Sequence, residues 1–275
     1  MRIVFANSAW VSAAERLILR GGSWQSVRLR VRYGLIFHPV AGPILIDTGY
    51  TPEALAGEHR GRMLCLYAAL LKPELNAAQQ VLPVLKRFGL SPDDIRTVIV
   101  THFHADHISS VSLFRNARFI ASDAAWARVK ARTPRQNLRH GVFAELFPAD
   151  FETRLDAIST KSRVAPQGDI PGGADLFGDG SVIAVELPGH ADGQFGLLFK
   201  HQEKPLLYAV DVQWLLKALT ENRTPGFPAT LIAENAAAIE PTSAMLRRFL
   251  DTGGEVMLCH DPAPTSHDLA SEETG

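Results

Sequence analysis

Four candidate metal ligands lie within six residues, directly after a short apolar strand. The segment THFHADH at 101–107 follows the β-branched residues VIV at 98–100, which favour a β-strand. Successive strand side chains point to opposite faces, so the first two histidines share one face. Beyond the strand, the acidic residue and the third histidine can turn back toward the same space. The four candidates are His102, His104, Asp106 and His107. Imidazole and carboxylate groups together suit zinc, and also iron or manganese.

Three further candidate ligands each follow an apolar segment that predicts a strand. His190 ends the turn PGH at 188–190, Asp211 follows the run at 206–210, and His260 follows VMLC at 256–259. Sites in open α/β sheets gather at the carboxyl ends of strands, so we expect these side chains to meet the first cluster. Together the seven candidates are more than one tetrahedral zinc uses. The sequence therefore predicts a site for two metals that keeps an open position.

The pattern of strands and helices predicts a mixed fold. The segment 27–33 alternates apolar residues with three arginines, which is typical of a half-buried antiparallel strand. Further strands are predicted at 34–40, 43–46, 97–101, 118–121, 175–177, 181–187, 195–199, 206–210 and 255–258, and helices at 63–71, 77–88, 122–130, 145–158 and 242–250. Early strands form hairpins, whereas later strands alternate with helices. We therefore expect an α/β fold with two mixed sheets and helices outside, in one domain over residues 1–275.

The charge balance argues against a general nucleic-acid or membrane-surface binder. Twenty-eight Lys and Arg residues against 29 Asp and Glu residues give a net charge of −1, without the basic excess that such partners select. Two cysteines exclude a disulfide scaffold or a Cys-rich zinc finger. The longest strongly apolar run, at 63–71, is far shorter than a membrane span requires, and residues 1–20 make a poor signal peptide. We expect a soluble, cytoplasmic protein.

The ordered set of motifs resembles the metallo-β-lactamase-fold hydrolases. The resemblance rests on THFHADH at 101–107, PGH at 188–190, Asp211 and His260, and on the early turn IDTG at 46–49. It covers roughly residues 30 to 261. It implies an αββα four-layer sandwich, in which two mixed β-sheets lie between outer layers of helices. Within the family, the spacing is most similar to that of the dinuclear N-acyl-homoserine lactonases.

The resemblance implies a role for each candidate ligand. One metal would be held by His102, His104 and His190, and the second by Asp106, His107 and His260, with Asp211 bridging both. A hydroxide between two divalent ions, expected to be zinc with iron or manganese as alternatives, would open a lactone or related small carboxylic ester. Asp106 would orient that hydroxide or return a proton to the leaving alkoxide. Asp47 is a candidate to hold a ligand imidazole by its other N–H, and a plain turn role is the alternative.

The sequence departs from the lactonase pattern at three places. The lactonases carry a tyrosine three residues after the bridging aspartate, where it contacts the substrate carbonyl. Trp214 stands there in this chain, and its indole N–H donates a hydrogen bond but supplies no acidic proton. The segment SS at 109–110 replaces a pair of glycines, and ADG at 191–193 replaces the usual Thr/Ser-Pro-Gly. We place Trp214 in the substrate pocket and leave the exact substrate open.

Three other functions remain alternatives to a lactonase. A thioesterase of the hydroxyacylglutathione hydrolase kind shares the ligand series but recognises its conjugate through a basic C-terminal region, and residues 261–275 contain no Lys or Arg. A phosphodiesterase or nuclease needs a basic insertion, for which only the run at 128–139 qualifies. A non-catalytic ligand binder on the same fold is the third alternative, because Trp214 replaces the tyrosine of the lactonases. The complete ligand set argues against it.

The remaining candidates are weaker. Five histidines lack ligand-like neighbours: His38, His59, His140, His201 and His267. Cys259 precedes His260 on a predicted strand and should point to the opposite face, so we expect a core thiol. The basic run at 128–139 predicts a solvated face. The apolar helix at 63–71, which contains Tyr67, predicts core packing or a homodimer contact. The expected partner is a small-molecule substrate.

Overall fold

Two mixed β-sheets form the centre of the molecule. The structure, a computed structural model, describes residues 1–55, 60–225 and 233–270. The first sheet has the strand order β4-β1-β2-β3-β5-β6-β7. Its strands are β1 (Arg2–Ala14), β2 (Ser26–His38), β3 (Gly42–Ile46), β4 (Glu74–Leu75), β5 (Thr97–Ile99), β6 (Arg118–Ala121) and β7 (Leu155–Ala157). Strands β1 to β4 pair antiparallel, whereas β3, β5, β6 and β7 pair parallel.

The second sheet supplies three of the strand ends that carry candidate ligands. Its order is β13-β12-β11-β10-β9-β8. The strands are β8 (Arg163–Val164), β9 (Gly173–Asp175), β10 (Ile183–Glu186), β11 (Phe195–Phe199), β12 (Leu206–Tyr208) and β13 (Glu255–Met257). Because β11 is antiparallel to both β10 and β12, and β12 is parallel to β13, the carboxyl ends of β10, β12 and β13 lie at one edge.

Helices cover the outer faces of both sheets. They are α1 (Glu15–Ile18), α2 (Pro52–Leu55), α3 (Arg62–Leu71), α4 (Val81–Arg87), α5 (Ala105–Ile108), α6 (Asp123–Ala131), α7 (Pro134–Arg139), α8 (Leu216–Thr220) and α9 (Ala236–Asp251). Short 3₁₀ turns occupy Ala77–Gln79, Pro92–Asp94, Val111–Leu113, Ala144–Leu146, Glu152–Arg154 and Ile158–Thr160. No helix among the described residues is long and apolar enough to cross a membrane.

Three apolar clusters divide the fold into four layers. The cluster between the sheets joins Phe5 and Ile46 of the first sheet to Leu197 and Tyr208 of the second. A second cluster packs the other face of the first sheet against helices such as α4 and α6. A third packs the second sheet against α8 and α9, with Phe249 fully buried. Strands that are apolar on both faces are stable only when both faces of the sheet are buried, as they are here. The predicted αββα sandwich is therefore confirmed.

Three local features differ from the sequence prediction. The segments 27–33 and 34–40 form one strand, β2, which pairs over most of its length with β1, a strand that the sequence reasoning missed. The predicted helix at 145–158 is instead a chain of 3₁₀ turns followed by β7. Pro148 lacks an N–H for a helix ladder, and Phe147 and Phe151 turn inward to contact Phe103 at 5.3 and 5.9 Å between ring centroids. Tertiary packing of these rings therefore overrides local helix propensity.

Helix α3 matches the predicted helix at 63–71, but it is buried on one face only. Leu64 and Ala68 point into the core, whereas Met63, Leu66 and Leu70 are about half exposed or more. Core packing thus accounts for one face of this helix.

Candidate metal centre

The first ligand cluster is built by the turn that follows β5. The chain leaves β5 at Ile99, and His104 occupies the N-cap of α5 with an extended backbone. The backbone N–H of His107 donates to the carbonyl of His104 over 3.0 Å, so one helical turn brings Asp106 and His107 back toward the strand. The expectation that these four side chains share one space is met by this geometry.

The other three candidates come from the edge of the second sheet. Gly189 holds φ near +140°, and a Cβ there would come within 3.1 Å of Ile239, so glycine is required before His190. Val210 also has a positive φ of 53°, and its carbonyl accepts from the backbone N–H of Cys259 over 2.9 Å. This bond ties the segment that carries Asp211 to the segment that carries His260.

One group of donors consists of three histidines and a carboxylate. The ligand atoms of His102, His104, His190 and Asp211 all lie within 4.8 Å of one another. The Nε2 of His190 is 3.0 Å from Nδ1 of His104 and 3.4 Å from Oδ2 of Asp211. The Nε2 of His102 is 3.8 Å from the same oxygen.

A second group shares Asp211 with the first. The ligand atoms of His107, Asp211, Cys259 and His260 also lie within 4.8 Å of one another. Oδ2 of Asp211 is 3.4 Å from Nε2 of His107 and 3.2 Å from Nε2 of His260. Oδ2 of Asp106 lies 3.6 and 3.5 Å from the same two nitrogens. All seven predicted ligands are therefore brought together around the carboxylate of Asp211.

Unpartnered polar atoms show that this cluster fits metal cations. Nε2 of His102, Nε2 of His107 and Oδ1 of Asp211 are buried and have no hydrogen-bond partner among the described residues. Buried polar atoms are rarely left without a partner. Imidazole nitrogens and carboxylate oxygens that lie close together are the donors that a shared cation such as zinc binds. The donor set is that of a zinc-type site, with no geometry that excludes iron or manganese.

Burial keeps three of the histidines neutral. It lowers the pKa of His102 and His104 below 6.5 and that of His190 to about 3. The neighbouring imidazoles lower these values further, because a second positive charge is unfavourable nearby. Neutral imidazole is the form that binds a metal, so this group is prepared to act as a ligand set.

Carboxylates have the opposite effect on the other two histidines. Burial alone would lower the pKa of His107, but the charges of Asp106, Asp211 and Asp47 raise it well above 6.5. The pKa of His260 is likewise raised well above 6.5 despite burial, mainly by the charge of Asp211. Burial would raise the pKa of Asp211, but His260 and His107 hold it well below 3.8. The carboxylate of Asp211 is thus ionised and available to a cation.

Asp47 combines both of its predicted roles. Its Oδ2 lies 2.8 Å from Nδ1 of His107, and its Oδ1 accepts from the backbone N–H of Thr101 over 2.8 Å. It also adopts a positive φ of 57° at the turn after β3. The turn therefore positions the imidazole of His107 from behind and leaves Nε2 facing the cluster.

A mostly apolar cavity opens beside the cluster. It has a volume of about 370 Å³ and is lined by Leu29, Leu138 and Trp214 as well as by Asp106, His190 and His260. The rings of Trp214 and His190 are 6.4 Å apart and nearly perpendicular. Trp214 thus lies at the cavity next to the first group, and its contact with a substrate stays a prediction.

Two contributors to the site were missed or misjudged. Cys259 is a buried core thiol, as expected. Its Sγ nevertheless lies with the second group of donors. Strand β13 ends at Met257, so the alternation of side chains between the two faces of a strand does not extend to Cys259 and His260. Tyr50 lines the cavity, although only its position after the early turn could have signalled this.

The weaker candidates have other partners. His140 lies 2.6 Å from Glu234, His38 contacts Ser181 and Asp179, and His267 lies 3.7 Å from Glu255. His201 is an exposed turn residue, and His59 lies outside the described residues. The basic run at 128–139 is not simply solvated, since Arg128 and Arg132 both pair with Asp192 in the loop after His190.

Comparisons with known proteins agree with this geometry. Residues 29–232 match the model of the metallo-beta-lactamase superfamily. The chain is 26% identical over 245 residues to the N-acyl homoserine lactonase AttM of Azorhizobium caulinodans, covering 88% of this chain and 85% of that protein. It is 28% identical over 214 residues to AttM of Agrobacterium fabrum, covering 77% and 75%.

Solved structures show the same fold. A B. thuringiensis AiiA variant with N-decanoyl-L-homoserine bound at its active site superposes with a TM-score of 0.70 at 18% identity, covering 95% of this chain and 93% of that chain. AidC, a dizinc quorum-quenching lactonase in complex with its product, superposes with a TM-score of 0.65 at 15% identity, covering 95% and 88%.

Proposed function

The chain belongs to the metallo-beta-lactamase superfamily, and from this premise we propose that it is a dinuclear metal-dependent hydrolase that opens the ring of a lactone. The observation that carries the proposal is the shared carboxylate: Oδ2 of Asp211 lies within 3.8 Å of Nε2 of four histidines. Those histidines belong to two groups of donors, so one carboxylate can serve two cations. The names of the AttM relatives make N-acyl homoserine lactones the first substrate class to test.

We assign each donor group to one cation. His102, His104 and His190 would hold the first ion, Asp106, His107 and His260 the second, and Asp211 would hold both. Asp106 stands here in place of Cys259, because the Cys259 thiol already donates to the carbonyl of Arg32 over 3.4 Å. When bound, two divalent cations supply an acidified water as nucleophile and polarise the ester carbonyl. We propose zinc, which suits imidazole and carboxylate donors. Because these donors come from both sheets, we treat residues 1–275 as a single hydrolase domain.

Asp106 is the residue that we propose moves the proton. Its side chain keeps 14% of its surface exposed, whereas the Asp211 side chain keeps only 2%. It lines the cavity, so its carboxylate can reach a substrate. The Asp106 carboxylate oxygen that does not hold the cation would accept the proton released by the attacking water and return it to the ring oxygen as the ester bond breaks. Ring opening then leaves a hydroxy acid, with no other product.

The cavity favours an acyl group on the substrate. Its walls include Val11, Ile18, Leu29 and Leu138, and burial of an acyl chain against such side chains contributes about 0.8 kcal/mol per methylene. The same cavity is also lined by Asp106, His190, Asp211 and His260 of the cluster. A lactone with an apolar tail would therefore place its ring at the cluster and its tail along the walls.

The state of the cysteines supports a cytoplasmic location for this activity. Cys65 is free and exposed, and Cys259 is free and buried. An exposed free thiol persists most readily in a reducing compartment.

The test of the proposal joins metal analysis to a hydrolysis panel. Protein expressed with added zinc is analysed for metal, and acid release is followed by titration with acyl-homoserine lactones of increasing chain length. A thioester and a phosphodiester serve as comparison substrates. We expect about two metals per chain and hydrolysis of lactones, with the Asp211→Asn variant losing both. A metal-loaded protein that hydrolyses the thioester or the phosphodiester but no lactone would contradict the proposed function.

A further inference from the structure

The hydroxyl of Tyr50 is a buried donor without an acceptor. The Tyr50 side chain is fully buried, and its hydroxyl has no hydrogen-bond partner among the described residues. Burying a hydroxyl that makes no hydrogen bond costs free energy, because its hydrogen bonds to water are lost and no bond within the protein replaces them. By contrast, the hydroxyl of Tyr33, which is equally buried, donates to the carbonyl of Gln79 over 3.2 Å.

The side chain that carries the unpartnered hydroxyl lies at the cavity beside the candidate metal centre. Tyr50 lines that cavity together with Asp106, Asp211 and His260. Burial, and then the charge of Asp106, raises the pKa of Tyr50 above its ordinary value of 10. The phenol therefore keeps its proton near neutral pH and has an O–H to donate. No acceptor in the described part of the chain takes this proton, and the cavity that Tyr50 lines has room for a ligand that would.

The backbone on both sides of Tyr50 is held in place. Its N–H donates to Oγ of Ser8 over 2.8 Å, and its carbonyl accepts from Nε2 of Gln80 over 3.3 Å. Gly49 precedes it with φ of +69°, where a Cβ would lie 2.5 Å from Oγ of Ser8. The same turn begins at Asp47, whose carboxylate holds His107. One turn thus positions both a candidate ligand and a phenol donor.

The second tyrosine at the cavity is less well placed for such a role. Tyr67 also lines the cavity, but it is only partly buried and lies on α3, which has an exposed outer face. Its ring packs against Phe143, 5.1 Å away between centroids. Trp214 lies near His190 of the first donor group, whereas Asp106, whose charge acts on both Tyr50 and Tyr67, lies beside the second.

We propose that Tyr50 is a catalytic residue, whose hydroxyl donates a hydrogen bond to the substrate carbonyl oxygen as negative charge develops on it. This inference rests on the proposed hydrolysis of a lactone or ester. The hydroxyl keeps its proton throughout, so it stabilises charge without taking part in proton transfer. Because the donor is fixed before the substrate arrives, little reorganisation is needed when the charge develops.

The first test compares Tyr50→Phe with Tyr33→Phe in the zinc-loaded enzyme. Removing one well-placed donor to an oxyanion lowers kcat by about 10²–10³-fold, and we expect this loss for Tyr50→Phe with KM and metal content little changed. Tyr33→Phe also removes a buried phenol hydroxyl, but one that already donates to Gln79 and does not line the cavity, so it should lower thermal stability without lowering kcat. Equal kcat values for wild type and Tyr50→Phe would overturn the proposal.

The second test does not depend on turnover. Binding of an alkylphosphonate, whose tetrahedral anion mimics the charged carbonyl, is measured by calorimetry in the zinc-loaded wild type and in Tyr50→Phe. We expect clearly weaker phosphonate binding in the variant, with unchanged binding of a planar lactam of equal size. If wild type opens no lactone but the variant still loses phosphonate affinity, the lactone function fails and the role of Tyr50 stands. Phosphonate affinity that is equal in both proteins, or absent from wild type, would overturn the role of Tyr50.

Discussion

The carboxylate of Asp47 lies directly behind the imidazole of His107, with 2.8 Å between Oδ2 and Nδ1 and with both side chains fully buried. A carboxylate in this position fixes the tautomer of the imidazole, so that Nε2 is the nitrogen left for a metal. It also increases the basicity of that nitrogen. The turn at Asp47 is therefore part of the proposed metal centre as well as of the fold.

Replacing Asp47 by Ala should weaken metal binding at the second donor group. Loss of such a supporting carboxylate typically costs about 10–100-fold in metal affinity, and competition with a chelator would measure it. Asp175→Asn is the control, because that carboxylate accepts from three backbone N–H groups of the hairpin turn after β9. The control should lose stability and keep its metal affinity. Unchanged affinity in Asp47→Ala would show that the carboxylate serves only the turn.

Asp211→Asn should be more damaging than any single histidine replacement. Asparagine keeps the shape of the side chain but removes the charge that offsets repulsion between two cations. We expect metal to be lost from both groups in Asp211→Asn but mainly from one group in His190→Ala. Metal content and the stoichiometry of zinc titration distinguish these outcomes. An Asp211→Asn protein with two metals and normal turnover would remove the shared carboxylate from the mechanism.

Arg32 connects the fold to His260 through the C-terminal segment. Its buried guanidinium forms a bidentate pair with Asp268 and donates to the carbonyls of Asp261 and Ala263 at 2.6 and 2.7 Å. Removing one partner of a buried pair costs about 3–5 kcal/mol, so Arg32→Met should lower the free energy of unfolding by that amount in urea titrations.

The matched control for Arg32 is Arg28→Met. Arg28 pairs with Glu74, and both side chains are more than half exposed. Exposed pairs contribute at most about 1 kcal/mol, so this variant should unfold close to wild type. A similar small effect for Arg32→Met would mean that the C-terminal segment does not depend on the guanidinium.

The elements that sequence reasoning predicted well are those whose signal is local. Strands β6 and β11 have the predicted bounds, because short apolar runs flanked by polar residues leave few alternatives. Strand β1 was missed because its middle contains Asn7 and Ser8, whose polar side chains suggest a loop. Both are buried at the bulge in β1, where Asn7 accepts from the backbone of Val31 and Ser8 donates to it. These partners are distant in sequence, so no local pattern reports them.

The same distinction applies to the candidate site. The seven candidate ligands could be named from sequence because each is a ligand-type residue at the end of an apolar strand, and strand ends meet at one edge of a sheet. Tyr50 could not be assigned, because a tyrosine after a turn is ordinary unless its hydroxyl is known to lack a partner. The position of Cys259 depends on where β13 stops, and element boundaries are the least reliable part of a sequence prediction.

Trp214 should set the length of acyl chain that the enzyme accepts. Its ring lies beside His190, 6.4 Å away between centroids, and forms part of the wall of a cavity of about 370 Å³. Phenylalanine at this position keeps an aromatic wall but has less volume and no N–H. Because Tyr50 is the proposed donor to the carbonyl, we expect Trp214→Phe to keep kcat on a short-chain lactone. One additional methylene in an apolar pocket is worth about 1–3 kcal/mol, so the variant should gain kcat/KM on long chains relative to short ones.

A chain-length series measured for wild type, Trp214→Phe and Trp214→Tyr separates shape from hydrogen bonding. If the wall alone matters, phenylalanine and tyrosine should shift chain-length preference alike. If kcat falls in Trp214→Phe for every chain length and recovers in Trp214→Tyr, position 214 supplies a hydrogen bond to the substrate, since tyrosine restores a donor that phenylalanine lacks. That result would contradict the division of roles between Trp214 and Tyr50. Identical profiles for all three proteins would mean that the acyl chain does not contact this wall, and would direct the search to Leu29 and Leu138, which also line the cavity.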